Sequence, residues 1–313
     1  MALDNKIIKL SPFFSKKIWG GNKLKELGFN IPSDDIGEAW VISAHENGMS
    51  FLKSNKNISF KNFFEENRSL FGNIKGDFPL LSKIITANDF LSVQVHPNDD
   101  YAIKKHNSFG KPESWYIIDC PENAKLIYGH NANNLNEFET LIKDKNWNSL
   151  LKEISVKKGD FLYVEPGKIH AITPGVIIYE LQRSSDITYR LYDYDRVDNE
   201  GNARELHIKE IIDNISIPDS KDIIIKANKN LKFNCDFFSI EKIKVSQFLE
   251  WKKPENLTWY QFTVLSGNGI INKIDFKTGD SVFCVDKLES LKIEGNLEIL
   301  ISWIESCCYE EKK

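Results

Sequence analysis

Two histidines, a glutamate and a glutamine in this chain could together bind a metal ion. Gln94 and His96 lie two residues apart at the end of an alternating run, so they face the same side of one predicted strand. Glu113 immediately precedes another predicted strand, and His170 follows a Gly-x-x-His turn. Two neutral imidazole nitrogens and one carboxylate oxygen are the usual ligands of a catalytic zinc, with one position left open. The sequence therefore predicts a metal site, provided that folding brings these residues together.

Three basic residues could bind an anion near such a site. Lys83 and Lys111 lie within or beside apolar segments, so each either extends to solvent or supplies a point charge to a phosphate. Arg190 lies in the alternating run Thr-Tyr-Arg-Leu-Tyr, which predicts that it points inward with Thr188 and Tyr192. A buried arginine needs an anionic partner, such as a substrate phosphate or an enediolate oxygen. The structural alternative is a salt-bridged edge strand.

The bulk composition is that of a soluble globular protein that can bury a substantial core. The chain has 313 residues, of which 41% are hydrophobic and 27% charged. A formal net charge of -4 with well-mixed charges favours neither nucleic acid nor a membrane surface as a partner. No apolar run approaches the roughly 20 residues that span a bilayer, and the N-terminus shows no secretory signal.

The cysteines and the remaining histidines do not suggest further sites. Five cysteines, an odd number without a C-x-x-C motif, argue against a disulfide framework and for a reducing cytoplasm. No dinucleotide-binding, P-loop or G-x-S-x-G motif occurs in the sequence. The remaining histidines match no metal-binding spacing and are interpreted as structural or surface residues: His45, His106, His130 and His207.

The predicted elements are mainly strands, and 20 Phe and seven Trp residues suit a β-rich core. Helices are predicted within 57–71 behind a Ser59 cap, over 99–109 closed by Gly110, within 135–154 behind Asn133 or Asn134, and over 205–214. Strands are predicted at 80–87, 90–96, 114–119, 161–165, 176–182, 237–245, 259–265, 269–275, 280–285 and 297–303. A candidate linker, Ile-Pro-Asp-Ser-Lys at 217–221, then predicts two domains, 1–225 and 226–313, the second being a smaller sandwich or barrel.

The two halves share a short internal repeat. Gly159-Asp160 and Gly279-Asp280 each predict a tight turn into an apolar strand. The first copy continues to His170, whereas the second is followed by no histidine. We therefore expect the site in the N-terminal domain, with the C-terminal domain as a metal-free relative.

The same residues show a resemblance to a known family. The chain resembles the type I phosphomannose isomerases, in the shorter bacterial form built from two cupin-like (jelly-roll) β-barrels. Six motifs occur in the family's order over nearly the whole chain: Lys17-Ile-Trp19-Gly20-Gly21-x-x-Leu24, Ile36-Gly37-Glu38-Ala-Trp40-Val-Ile-Ser43, Gln94-Val-His96-Pro97-Asn98-Asp99, Gly110-Lys111-x-Glu113, Pro166-Gly167-x-x-His170, and Ser185-Asp186-x-Thr188-Tyr189-Arg190-Leu-Tyr192-Asp193. In one departure from the general cupin pattern, Glu165 stands where a proline is usual and Pro166 follows it. The form also lacks the large helical insertion of longer members.

The resemblance implies a metal site and its ligands. In that family, one zinc per chain is held by the residues that match His96, Glu113 and His170, with Gln94 added in many members. The N-terminal domain would be catalytic, and the smaller C-terminal cupin-like domain would have no metal ligands. The partner would be a phosphorylated sugar, with no nucleic acid or membrane, and the protein would be a monomer or weak homodimer.

The resemblance also implies a reaction, the interconversion of mannose 6-phosphate and fructose 6-phosphate through a cis-enediol. The residue matching Arg190 is treated as an active-site residue that would stabilise the enediolate or hold the phosphate. Lysines matching Lys83 and Lys111 line the pocket. The sequence does not identify the base, for which Lys111 and a zinc-bound hydroxide are both candidates. The alternatives are a cupin metalloenzyme of different chemistry, such as an iron or manganese oxygenase, and a non-catalytic sugar-binding cupin.

Overall fold

A computed structural model describes residues 7–197, 200–255, 257–285 and 288–304. Its strands are β1 (Ile7–Ser11), β2 (Phe13–Gly21), β3 (Ile36–Ile42), β4 (Phe51–Leu52), β5 (Asn55–Ser59), β6 (Leu80–Thr86), β7 (Val93–Val95), β8 (Glu113–Asp119), β9 (Lys125–His130), β10 (Leu151–Ser155), β11 (Phe161–Val164), β12 (His170–Ala171), β13 (Ile177–Arg183), β14 (Tyr189–Tyr192), β15 (Ile223–Ile225), β16 (Lys232–Asn234), β17 (Phe238–Val245), β18 (Phe248–Lys252), β19 (Trp259–Ile271), β20 (Ile274–Lys277), β21 (Ser281–Val285) and β22 (Ser290–Ile304). The α-helices are α1 (Phe60–Glu66), α2 (Asp99–His106), α3 (Leu135–Lys143), α4 (Trp147–Leu150) and α5 (Ile208–Asn214), and 3₁₀ turns occur at Lys23–Lys25 and Arg68–Phe71. The mainly-β prediction is confirmed.

The chain divides into two compact units. Unit 1 comprises the described parts of 1–15, 22–83 and 230–313, and unit 2 comprises 16–21 and 84–229. The predicted domain boundary at 225 lies close to residue 230, where the last segment of unit 1 begins. However, residues 22–83, predicted to belong to the N-terminal domain, group with the C-terminal strands. A physical reason is that β4 pairs with β1, which in turn pairs with β21; no local sequence pattern reveals such contacts between distant residues.

Unit 2 contains two antiparallel sets of strands with apolar side chains packed between them. A five-stranded sheet has the order β10-β9-β12-β7-β14, and β15, β11, β8 and β13 form the second set. Trp115 and Leu162 of the second set share one apolar core with Leu126 and Tyr128 of the five-stranded sheet. The other face of the five-stranded sheet is covered by α3, α4 and α5, whose apolar side chains pack onto it. The five-stranded sheet therefore has an inner face and a helix-covered face.

Unit 1 is dominated by long antiparallel strands around a separate apolar core. β19 pairs along most of its length with one edge of β22, and β17 and β18 pair with the opposite edge. Leu291, Ile293 and Ile299 of β22 are fully buried in this core. The sequence prediction divided β19 at Gly267-Asn-Gly269, which resembles a hairpin turn, and it included only residues 297–303 of β22.

The internal repeat has the same turn geometry in both copies. Gly159 and Gly279 have φ values of +89° and +86°, in the region where glycine is favoured. In each turn the aspartate carboxylate accepts a hydrogen bond of 3.2 Å from the backbone N–H three residues earlier, at Lys157 or Lys277. The expected Gly-Asp turn into a strand is therefore present in both units.

Two predicted helix boundaries differ from the structure. α2 ends at His106 and is capped by Asn107, which adopts the left-handed conformation with φ +50°, so Gly110 does not close it. Gly110 is needed for another reason, since a Cβ there would lie 2.6 Å from the carbonyl carbon of Asn98. Residues 151–154, the end of the segment predicted to hold helices, belong to β10 because they pair with β9. Tertiary pairing overrides local helical spacing there.

No disulfide joins the described cysteines, Cys120, Cys235 and Cys284; Cys307 and Cys308 lie outside the described residues. Among the described residues, no helix is long and apolar enough to cross a membrane.

Candidate metal centre

Three neighbouring strands place polar side chains in a row on the inner face of the five-stranded sheet. His170 on β12 pairs with Gln94 on β7, and Gln94 pairs with Arg190 on β14. Residues directly opposite each other in antiparallel strands share a face. Val93 and Val95 point to the other face, into the core beneath the helices. The alternation along β7 therefore fixes which side chains reach the site.

The turns that carry the ligands are joined by backbone hydrogen bonds. The Gly167 N–H donates to the carbonyl of His96 at 2.9 Å, and the Lys111 N–H donates to the carbonyl of Pro97 at 3.1 Å. Gly167 has φ +87°, and a Cβ there would lie 2.6 Å from the carbonyl oxygen of Asn214. The backbone around His96 thus holds both the Gly-x-x-His turn and the segment before β8.

His96, Glu113 and His170 converge on one point. Their potential ligand atoms all lie within 4.8 Å of one another, and each side chain is buried. The two Nε2 atoms are 3.2 Å apart, and they lie 3.3 Å (His96) and 3.4 Å (His170) from the nearest Glu113 oxygens. Distances of this kind suit three donors around one cation.

The second nitrogen of each imidazole fixes its orientation. Nδ1 of His96 lies 2.8 Å from the carbonyl oxygen of Ile187, and Nδ1 of His170 lies 2.8 Å from that of Lys168. A carbonyl oxygen can only accept, so each Nδ1 carries a proton and each neutral ring presents its Nε2 lone pair. Hydrogen bonds of this type orient metal-binding histidines and favour metal binding.

Burial and charge keep the donors in their metal-binding forms. Desolvation, assisted by the Lys111 charge, lowers the pKa of His96 to about 4, and desolvation also lowers the pKa of His170. Burial by itself would raise the pKa of Glu113, but Lys111 and the histidines hold it well below its usual value. At neutral pH the site therefore offers two neutral imidazoles and one carboxylate.

The Glu113 carboxylate also has unused acceptor capacity. Neither buried oxygen accepts a hydrogen bond of good geometry, although Lys111 Nζ lies 3.1 Å from Oε2. A buried carboxylate that faces two imidazole lone pairs is costly unless its charge is balanced and its oxygens are coordinated, and Lys111 alone gives them no well-aligned donor. The donor set therefore fits a divalent metal.

Gln94 and Lys111 adjoin the three ligands. Gln94 Nε2 lies 3.5 Å from Nε2 of His96 and 3.3 Å from that of His170. An amide can present either nitrogen or oxygen at this position, and oxygen is the atom that binds metals. Lys111 is buried, with its Nζ 3.2 Å from His96 Nε2. The structure thus brings together Gln94 and Lys111 with the three predicted ligands.

The two remaining predicted site residues are Arg190 and Lys83. Arg190 is half-buried, on the inner face with Gln94, but Tyr192 lies beyond a register shift and stacks on Trp147 beside the helices. The prediction that Tyr192 points inward with Arg190 is wrong, because the bulge reverses its direction. Lys83 lies on β6 in unit 1, with its Nζ 4.9 Å from the centre of the Trp40 ring. Its role in substrate binding stays a prediction.

Lys168 is a site residue that the sequence analysis missed. Its carbonyl orients His170, and its side chain is only 1% exposed. Its Nζ lies 3.1 Å from an Asp219 oxygen and 2.9 Å from an Asp222 oxygen. The signal in the sequence was a lysine inside the Gly-x-x-His turn, but its acidic partners lie about fifty residues later. The ion pairs anchor the turn that carries a metal ligand.

Replacing Lys168 with methionine should weaken metal binding. The change leaves two partly buried carboxylates short of a cation and loosens the carbonyl that orients His170. Losses of such supporting contacts cost roughly 10–100-fold in metal affinity. The measurement is a competition titration with a chromogenic chelator. Lys152→Met is the matched control, since Lys152 Nζ binds the same Asp222 at 2.8 Å but lies outside the turn. Equal metal affinity in Lys168→Met and wild type would contradict this role.

Comparisons with known proteins give a consistent result. Residues 7–118 match the model of the phosphomannose isomerase type I catalytic domain. The chain is 42% identical to mannose-6-phosphate isomerase ManA of Bacillus subtilis over 93% of this chain and 96% of the relative. It is 40% identical to mannose-6-phosphate isomerase of Streptococcus mutans, over 93% and 96%. The crystal structure of mannose 6-phosphate isomerase from Bacillus subtilis superposes with a TM-score of 0.87 at 35% identity, covering 96% of this chain and 100% of that one.

Proposed function

The chain belongs to the type I phosphomannose isomerase family, and we propose that it interconverts mannose 6-phosphate and fructose 6-phosphate at the centre formed by His96, Glu113 and His170. The observation that carries this proposal is the convergence of two oriented imidazoles on a buried carboxylate whose oxygens accept no well-aligned hydrogen bond. Burying these three donors together costs free energy unless they coordinate a metal cation, and their number and type are those of a zinc site.

The ion is zinc, one per chain. His96, Glu113 and His170 hold it, and Gln94 is the candidate fourth ligand. Bound zinc supplies Lewis acidity, which polarises a sugar oxygen and makes the neighbouring C–H more acidic. Two nitrogen donors and one carboxylate leave room for such an oxygen.

The surrounding basic residues bind the substrate, stabilise the charge that develops during the reaction and transfer the proton. Arg190, on the same inner face as the ligands, stabilises the negative charge that develops on the enediolate or holds the phosphate. Lys111, whose Nζ lies within 3.2 Å of two ligands, is placed to move the proton between C2 and C1 through a cis-enediol. Lys83 is a further candidate for the phosphate.

Replacing Arg190 with alanine should lower kcat/KM by about 100- to 1,000-fold, because loss of one donor to a developing oxyanion costs roughly that much. Zinc content should stay at one per chain, since Arg190 is not a ligand. Arg190→Lys, which keeps the charge without the planar fork, should fall between alanine and wild type. Steady-state kinetics with mannose 6-phosphate and metal analysis of the same samples provide the measurement. Unchanged kcat/KM in Arg190→Ala would remove Arg190 from the site.

A coupled assay for fructose 6-phosphate formed from mannose 6-phosphate tests the function. Turnover should be equal with and without oxygen, whereas an oxygenase of the same ligand set would need it. In D2O, deuterium should appear at C1 of the product, because a base exchanges its proton with solvent during transfer. Absence of fructose 6-phosphate, or an oxygen requirement, would contradict the proposal.

We also infer that the protein acts in the cytoplasm as a monomer or weak homodimer. An odd number of cysteines without C-x-x-C supports a reducing compartment. The substrate is small and soluble, so catalysis requires no membrane or nucleic-acid partner.

A further inference from the structure

β14 is the edge strand of the five-stranded sheet. At its free edge, His207 makes the hydrogen bonds to Arg190 that a neighbouring strand would otherwise make. The Arg190 N–H donates to Nδ1 of His207 at 3.1 Å, and the His207 N–H donates to the carbonyl of Arg190 at 2.8 Å. Both backbone groups of Arg190 therefore point to His207, away from β7. Arg190 and Gln94 then form a non-hydrogen-bonded pair, the geometry in which opposed side chains lie closer together.

The segment just before His207 also binds the Arg190 side chain. The guanidinium donates from Nη1 to the carbonyl oxygen of Glu205 at 2.8 Å. Arg190 Nε is buried and makes no hydrogen bond. We call residues 203–207 the strap. With its backbone bonded to His207 and its guanidinium to Glu205, Arg190 is held at both ends by the strap.

The strap is itself anchored next to β14. Arg204 binds the carboxylate of Asp193 through two nitrogens, with a distance of 2.7 Å from Nε to Oδ2. Asp193 is only 4% exposed, and it also accepts from Arg196 at 2.6 Å. A bidentate arginine–carboxylate pair fixes geometry as well as charge. The anchor therefore limits how far the strap can move from Arg190.

We propose that His207 is a positioning residue for the isomerase reaction, acting through the strap to aim Arg190 at the metal centre. This inference rests on the role proposed above for Arg190. A displacement of about 1 Å in a substrate-orienting group can cost around 100-fold in rate. A lone edge strand without the strap would leave both backbone groups of Arg190 to water, so the guanidinium would sample a wider range of positions.

Two variants of His207 can test the hydrogen bond that its Nδ1 accepts from the Arg190 N–H, one keeping an acceptor and one removing it. An asparagine side chain can place its carbonyl oxygen close to the position of Nδ1, so His207→Asn keeps an acceptor for the Arg190 N–H. His207→Leu has a similar volume but no acceptor. Arg204→Met releases the strap at its other end without altering any atom that touches Arg190, and Asp193 retains Arg196 as a partner.

The test is a double-mutant cycle on zinc-loaded enzyme, with each variant made in the wild-type and the Arg190→Ala backgrounds. In the wild-type background, His207→Leu should lower kcat by about 10- to 100-fold, while His207→Asn should retain most of it. In the Arg190→Ala background, His207→Leu should cause no further loss, because its effect passes through Arg190. Zinc content should be unchanged throughout. Arg204→Met should show the same pattern of kcat losses as His207→Leu. If His207→Leu does not fold, the cycle with Arg204→Met decides the test.

Two results would overturn the inference. An equal loss in both backgrounds would mean that His207 supports the fold in general, and full activity of His207→Leu would mean that Arg190 needs no strap. Full activity of Arg190→Ala would instead show that the role proposed for Arg190 is itself wrong. The two failures are therefore distinguishable.

Discussion

Replacing His170 with alanine is expected to abolish zinc retention and turnover together. His170 supplies one of three convergent donors, and its loss leaves one imidazole and one carboxylate, too few to hold zinc tightly. Since even supporting contacts cost roughly 10–100-fold in affinity or activity, a ligand should cost at least about 100-fold in turnover. Metal analysis after dialysis and the coupled assay, on the same sample, provide the measurement.

His106→Ala is a suitable control for that experiment. His106 is exposed near the end of α2, and its Nε2 lies 2.6 Å from the Tyr189 hydroxyl rather than near the ligands. It should keep one zinc per chain and most of its activity. A zinc-depleted His170→Ala protein with wild-type turnover would disprove the metal requirement.

Replacing Lys111 with methionine should separate catalysis from metal binding. Turnover should fall by about 100- to 10,000-fold, the usual contribution of a general acid or base. Zinc should bind at least as tightly as in the wild type, because the variant removes a cation that lies 3.1 Å from Glu113 and 3.2 Å from His96. Kinetics and a zinc titration on the same preparation measure the two effects.

Lys111→Arg then identifies how the lysine acts. Arginine keeps the positive charge but stays protonated, so it cannot serve as a base. If Lys111 transfers the proton, Lys111→Arg should lose as much turnover as Lys111→Met. If it acts only as a charge, arginine should retain a substantial part. Wild-type turnover in Lys111→Met would exclude both roles.

The sequence predicted the mainly-β fold because the relevant signals are local. The Ser59 cap starts α1 as expected, accepting a hydrogen bond from the Asn62 N–H. The side-chain alternation that places Gln94 on the site's face is also a property of a few consecutive residues. The family resemblance, confirmed by the comparisons, extended these local signals to the whole chain.

The features that the sequence did not predict depend on contacts between distant residues. Residues 151–154 were predicted to be helical but belong to β10, which pairs with β9. His207 matches no ligand spacing, yet its imidazole Nδ1 accepts from the Arg190 N–H and its backbone N–H donates to the Arg190 carbonyl. In the sequence Lys168 resembles a solvated lysine, but in the structure its ammonium forms an ion pair with Asp219. None of these partners can be identified from local periodicity.

Titration of zinc into metal-free protein, with bound metal and turnover of mannose 6-phosphate followed together, tests the central claim most directly. The account predicts that turnover rises in proportion to bound zinc and stops rising at one zinc per chain. It also predicts that His170→Ala shows neither tight binding nor recovery. Turnover in the metal-free protein, or full zinc occupancy without turnover, would contradict the account.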